Sequence, residues 1–158
     1  MKFKKHFFSF CIALISYLGV SAQNISQVNW KIISPDKVIV GKSAELIYKV
    51  NIKPLNYIYS VNTNSKNGKN TAIWFYNNSN SYKVIDKTEA IFEIDFLNKN
   101  SNQTEYIIEG EGGFTQKIKI LKPNPVIKGK ISYILHSKET GREKYLEEEF
   151  TIHIRTTN

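Results

Sequence analysis

The residues of this 158-residue chain that could do covalent or metal chemistry are few and scattered. The one cysteine, Cys11, sits in an apolar run close to the N-terminus. The histidines beyond that run, His136 and His153, fall in separate segments, and the aspartates are Asp36, Asp86 and Asp95. A metal centre needs three or four ligands in defined geometry, and this order of residues gathers no such set. No serine, histidine and acid announce a nucleophilic triad. Glycoside hydrolysis needs two carboxyls facing across a cleft. Glu109 and Glu111 would stand beside each other on one face of a continuing strand, and Glu147, Glu148 and Glu149 read as a solvated patch. Gly110, Gly112 and Gly113 lack the following helix and the Gly-Lys-Ser/Thr ending of a phosphate loop, so they read as a bulge or tight turn. The chain is expected to be no enzyme and to use no metal and no cofactor.

Charge narrows the partner. The formal net charge is +8. Only two residues are arginine, Arg142 and Arg155, and the lysines are spread along the chain. Nucleic-acid recognition favours a clustered basic face and arginine forks, so nucleic acid is not an expected partner. The lysine excess implies at most a weak attraction to acidic surfaces or partners.

Three lysines fall within residues 2–5, residues 7–20 are almost uncharged and mostly apolar, and Val20-Ser21-Ala22 precedes Gln23. That is the basic, apolar and small-residue order of a secretory signal peptide. Residues 1–22 are expected to be that signal, and 23–158 a single periplasmic or secreted domain. The apolar run falls short of the roughly 20 residues of a membrane span, and no other stretch approaches that length. Residues 23–158 hold no cysteine, which excludes from them a disulfide framework, a thiol nucleophile and a cysteine metal site. A domain of this size buries roughly two thirds of its unfolded surface and needs no disulfide to fold.

The elements that must position any site are strands. Val28, Trp30 and Ile32 alternate with polar residues until Ser34-Pro35-Asp36. Ala44, Leu46, Tyr48, Val50 and Ile52 share one face opposite Glu45, Lys49 and Asn51, the period of two that marks a half-buried strand. Tyr57, Tyr59 and Val61 suggest a third strand. Residues 62–83 are rich in asparagine and serine around one apolar island, Ala72 to Tyr76, and such loops often carry binding sites. Ala90, Phe92, Ile94 and Phe96 alternate with Glu89, Glu93 and Asp95, predicting one continuous strand. Further strands are expected at Tyr106–Ile108, Phe114–Ile120, Ile127–His136 and Phe150–Arg155, with a helical turn over Tyr145–Glu149. No segment holds a 3.6-residue period over ten or more residues. Seven to nine mostly antiparallel strands predict an all-β, two-sheet, immunoglobulin-like sandwich.

Val28-Asn29-Trp30, Ser34-Pro35-Asp36, Gly41 and Ala44-Glu45-Leu46 together resemble the opening of the N-terminal domain of the thiol:disulfide interchange protein DsbD. Leu55 to Ser60 resembles that family's Gly-Trp-His-Ile-Tyr-Ser-type strand without its glycine, and Lys128 to Tyr133 is similar to its strand leading into the redox loop. The resemblance implies an immunoglobulin-like periplasmic sandwich that passes electrons to disulfide proteins through two cysteines. At the matching positions this chain has His136 and Arg142. Thiol–disulfide exchange requires a thiolate, so the resemblance implies the scaffold without its reaction. His136 and Arg142 could instead cradle an anion or a carboxylate.

The function expected is therefore a non-redox protein-binding or interaction domain, with a redox or envelope protein as partner. The contact surface is expected in the 62–83 loops or the 137–144 turn, with Trp74, Phe75, Tyr76, Tyr57 and Tyr59 as its aromatic residues. The alternatives are a periplasmic thiol–disulfide carrier, which the missing cysteines disfavour, and a structural envelope protein.

Overall fold

The computed structural model describes residues 26–63, 68–76, 80–98 and 103–157. The expected signal peptide, residues 1–22, lies outside them. Twelve strands follow in chain order: β1 (Val28–Ile33), β2 (Lys37–Ile39), β3 (Ser43–Ile52), β4 (Asn56–Tyr59), β5 (Ala72–Phe75), β6 (Tyr82–Ile91), β7 (Ile94–Asn98), β8 (Gln103–Ile108), β9 (Glu111–Ile120), β10 (Val126–Ser137), β11 (Glu143–His153) and β12 (Arg155–Thr157). Among the described residues, no helix is long and apolar enough to cross a membrane.

Alternation decides which face each strand buries. β3 turns Ala44, Leu46, Tyr48, Val50 and Ile52 inward, and β9 turns Phe114, Ile118 and Ile120 to the same side. These belong to a four-stranded sheet in the order β1-β3-β9-β6. Ile58, Ile108, Ile127, Ile131, Tyr133 and Phe150 face them from a six-stranded sheet, ordered β11-β10-β4-β8-β7 with β5 also on β10. Aromatic contacts knit the shared core. Trp30 stacks on Phe114 at 6.0 Å, and Tyr48 meets the edge of Phe150 at 5.5 Å.

The all-β, mostly antiparallel expectation holds, but a clean two-sheet sandwich of seven to nine strands does not. β2 and β12 form a third, two-stranded sheet, and they run parallel. The β1 ladder ends at Ile33, Pro35 has no N–H with which to extend it, and β2 pairs with β12 instead.

The continuous strand expected through Phe92 is broken there. Ile91 ends β6 in one sheet and Ile94 begins β7 in the other, with Phe92 between them at a φ of 58°. Glu93 draws the chain across: its carboxylate accepts hydrogen bonds from Ser60 Oγ at 2.5 Å and Asn62 Nδ2 at 2.9 Å. An alternating pattern looks the same whether a strand stays in its sheet or changes sheets. Glu109 and Glu111 do not share a strand, because Gly110, at a φ of 64°, separates β8 from β9. The helical turn expected over Tyr145–Glu149 is part of β11, where the ladder to β10 uses its backbone groups.

Candidate functional site

β10 carries the site. On one side β11 runs along its whole length, from Val126 opposite His153 to His136 opposite Glu143. The two histidines therefore lie at opposite ends of this hairpin. On its other side β10 pairs with β4 at Leu135–Ser137 and with β5 at Gly129–Ser132. Residues 60–71 connect β4 to β5, and the Thr71 N–H and hydroxyl both donate to the Tyr59 carbonyl at 3.2 and 2.5 Å, closing that excursion at its base.

Because Ile58 and Ile108 point into the main core, Tyr57, Tyr59 and Ile107 project from the outer face of the six-stranded sheet. They form a second, smaller core with Ile134 packed against it. His136 lies flat on Tyr57, ring centroids 4.5 Å apart. The Glu143 carboxylate gathers the polar groups around them. It accepts from Lys69 Nζ at 2.7 Å and from the Tyr59 hydroxyl at 2.9 Å. His136 Nδ1 lies 3.5 Å away, too long for a formed hydrogen bond and close enough for attraction when the imidazole is protonated. The Lys69 ammonium also lies 5.4 Å over the Tyr59 ring. Burial, reinforced by Tyr57 and Glu143, pushes the Tyr59 phenol well above its usual range. Burial alone would raise the Glu143 carboxyl, but the Lys69 and Tyr59 hydrogen bonds outweigh it and hold the group below its ordinary value.

Farther along β10 the same face opens to solvent. Trp74 is 55% exposed, and its indole N–H donates to Ser132 Oγ at 3.0 Å. Tyr145 is exposed and donates to Glu147 at 2.5 Å, while Lys130 bonds the same carboxylate at 2.7 Å. The Lys130 and Tyr145 hydrogen bonds lower the Glu147 pKa. Tyr76, also exposed, donates to Glu149 at 3.2 Å. Every charge on this patch near a ring has a partner, so what it offers outward is aromatic surface.

Of the aromatic residues singled out from sequence, Trp74 and Tyr76 face solvent. Phe75 turns inward against Phe150 and Tyr82, and Tyr57 and Tyr59 are buried. Residues 64–67 and 77–79 of the expected contact stretch lie outside the described residues. His136 and Arg142 are not brought together. Arg142 sits in the turn with an exposed side chain and its carbonyl accepting from the Ser137 N–H at 2.9 Å, and the group facing His136 is the Glu143 carboxylate. An anion at His136 would meet that carboxylate. Lys69 and Glu143 fall within the 62–83 and 137–144 stretches expected to carry the contact, but neither is among the residues named for it, and Tyr145 and Glu147 lie outside both stretches. The alternation of Glu143, Tyr145, Glu147 and Glu149 was the signal that could have placed three of them on one face. Among the described residues, no group of three or more histidine, cysteine or acidic residues is placed to hold a metal ion.

No family model matches the chain, and no curated protein matches it by sequence. Solved structures do. The reduced N-terminal domain of DsbD from Neisseria meningitidis superposes with a TM-score of 0.52 at 8% identity, covering 80% of this chain and 85% of that one. The N-terminal periplasmic domain of ScsB from Proteus mirabilis gives 0.54 at 8% identity, covering 86% of this chain and 49% of that one. This chain thus spans about half the length of the Proteus protein's solved chain. At such identity the likeness is one of fold, and at that level the resemblance to DsbD N-terminal domains holds, on a chain whose residues 23–158 contain no cysteine.

Proposed function

We propose that residues 23–158 form an exported, non-redox interaction domain of immunoglobulin-like build, released from a signal peptide at residues 1–22. Its partner is a redox or envelope protein in the periplasm or outside the cell. The contact is made by the outer face of the six-stranded sheet, through Trp74, Tyr76 and Tyr145. The observation behind this reading is that these three large rings stand open to water while the neighbouring tyrosines of the same face are buried. Rings of this kind, held by hydrogen bonds at their polar edges, are the usual anchors of protein contacts.

Capture from a native envelope extract tests it. The expected result is one specific partner for the wild-type chain and at least a tenfold weaker capture for the Trp74→Ala/Tyr76→Ala double variant. Equal capture by a folded double variant would remove this surface. A second reading, a structural envelope protein, draws support from β7. That strand ends the six-stranded sheet, and its Ile94 and Leu97 are exposed.

A further inference from the structure

The outer face of the four-stranded sheet, on the far side of the molecule, carries charges that the fold does not neutralise. Lys31 on β1 stands directly opposite Lys49 on β3. Like charges so placed destabilise a sheet. Among the described residues neither ammonium is in an ion pair. The next outward-facing pair along the two strands is Asn29 opposite Asn51, and Asn51 in turn stands opposite Glu111 on β9. These side chains line a trough of about 400 Å³.

Phe92 also lines the trough. It is 81% exposed, and its backbone is in the left-handed region at a φ of 58°. A bulky side chain there is strained, and strain of this kind collects at ligand sites. The ring gains no core packing in return. Gly112 keeps β9 close against this bend: a Cβ on it would lie 2.5 Å from Ile108 Cγ2 and 3.3 Å from the Phe92 carbonyl oxygen. Two unpaired ammoniums, two amides, one carboxylate and one open aromatic ring thus share one concave surface.

We propose that this trough binds acidic sugar units of an anionic polysaccharide. The sugar carboxylate sits between Lys31 and Lys49, its hydroxyls bond Asn29, Asn51 and Glu111, and the ring face rests on Phe92. The lysine pair calls for a negative group. Glu111 weighs against a ligand that offers only carboxylates, such as an acidic peptide, and suits one that also has hydroxyls to donate. The volume lies within the range of small-ligand sites.

The test is calorimetric titration of residues 23–158 with an oligogalacturonate, a neutral malto-oligosaccharide of the same length, and poly-glutamate. Oligogalacturonate is expected to bind, more weakly as salt rises, with the other two at least about tenfold weaker. The Lys31→Gln/Lys49→Gln double variant and Phe92→Gly should each weaken binding about tenfold or more. Phe92→Gly should melt no lower than wild type, because glycine relieves the positive φ, and so separates lost binding from lost folding. No heat with oligogalacturonate, equal binding of the neutral chain, tighter binding of poly-glutamate, or unchanged affinity in either variant overturns the proposal.

Discussion

Removing the hydroxyl of Tyr59 isolates the bond that ties the outer face of the six-stranded sheet to its hairpin. Tyr59 is 3% exposed and donates to a Glu143 oxygen at 2.9 Å. A hydrogen bond to a charged group contributes about 1.5–3 kcal/mol, and the 32% exposure of the Glu143 side chain places this one at the low end. Tyr59→Phe should therefore cost about 1.5 kcal/mol at pH 7, a fall in Tm of about 5 °C for a domain of this size. Urea denaturation measures it as a lower midpoint at constant slope. A double-mutant cycle with Glu143→Gln should return a coupling of about 1 kcal/mol. The dependence on pH has a definite sign. Glu143 is held below its ordinary value of 4.5 in the folded protein, so its contribution is fully present above that pH and fades as pH falls through the lower folded value. Losing the Tyr59 donor moves the folded value back upward, so the penalty of Tyr59→Phe shrinks on acidification below 4.5. A variant as stable as wild type at pH 7, a zero coupling, or a penalty that grows in acid would each refute this account of the cluster.

Tyr48 presents the opposite case: it is fully buried, and among the described residues its hydroxyl has no hydrogen-bond partner. Tyr48→Phe should leave stability unchanged or raise it by up to about 1 kcal/mol, and a lower urea midpoint would contradict this. Gly129→Ala would put a Cβ 2.1 Å from the Trp74 carbonyl oxygen and 2.5 Å from Phe150 Cζ, so β5 must shift. The expected cost is about 2–3 kcal/mol with a change in tryptophan fluorescence, and an unaltered melt would show that the ladder has slack. Insulin-reduction and thiol-trapping assays on residues 23–158 should be silent, and any reducing turnover would overturn the exclusion of thiol chemistry.

Period two was enough to place β1, β3 and β9, because a strand with one buried face writes that face into every second residue. It failed where the backbone, not the side-chain pattern, decides. The turn from β6 to β7 hangs on Phe92 at positive φ and on hydrogen bonds from Ser60 and Asn62, residues about thirty positions away. The β2–β12 pair joins residues near opposite ends of the described chain. The aromatic surface was half legible. Ala72–Tyr76 stood out as an apolar island, but whether Trp74 or Phe75 faces water depends on the register of β5 against β10. Lys69 and Glu143 meet across 74 positions, and nothing local to either foretells the contact.

The two faces of the protein differ in how far their charges are settled, and that difference underlies the two separate proposals. At the end of the β10–β11 hairpin, His136 is stacked on a buried tyrosine, and the carboxylate facing it is already bonded by Lys69 and Tyr59. Presenting His136 from that point to a partner would break its stack on Tyr57 and draw it away from the Glu143 carboxylate. The resemblance that places a reactive pair near His136 thus meets a closed cluster here, while Trp74, Tyr76 and Tyr145 of that sheet stand open to solvent. Settled charges with exposed rings suit a partner that brings apolar surface, since desolvation there costs little. On the opposite sheet the Lys31–Lys49 pair is repulsive as it stands and becomes favourable only when something negative arrives. The proposed protein contact on the aromatic face and the proposed anion site on the lysine face would not exclude each other, because the shared core separates the two surfaces.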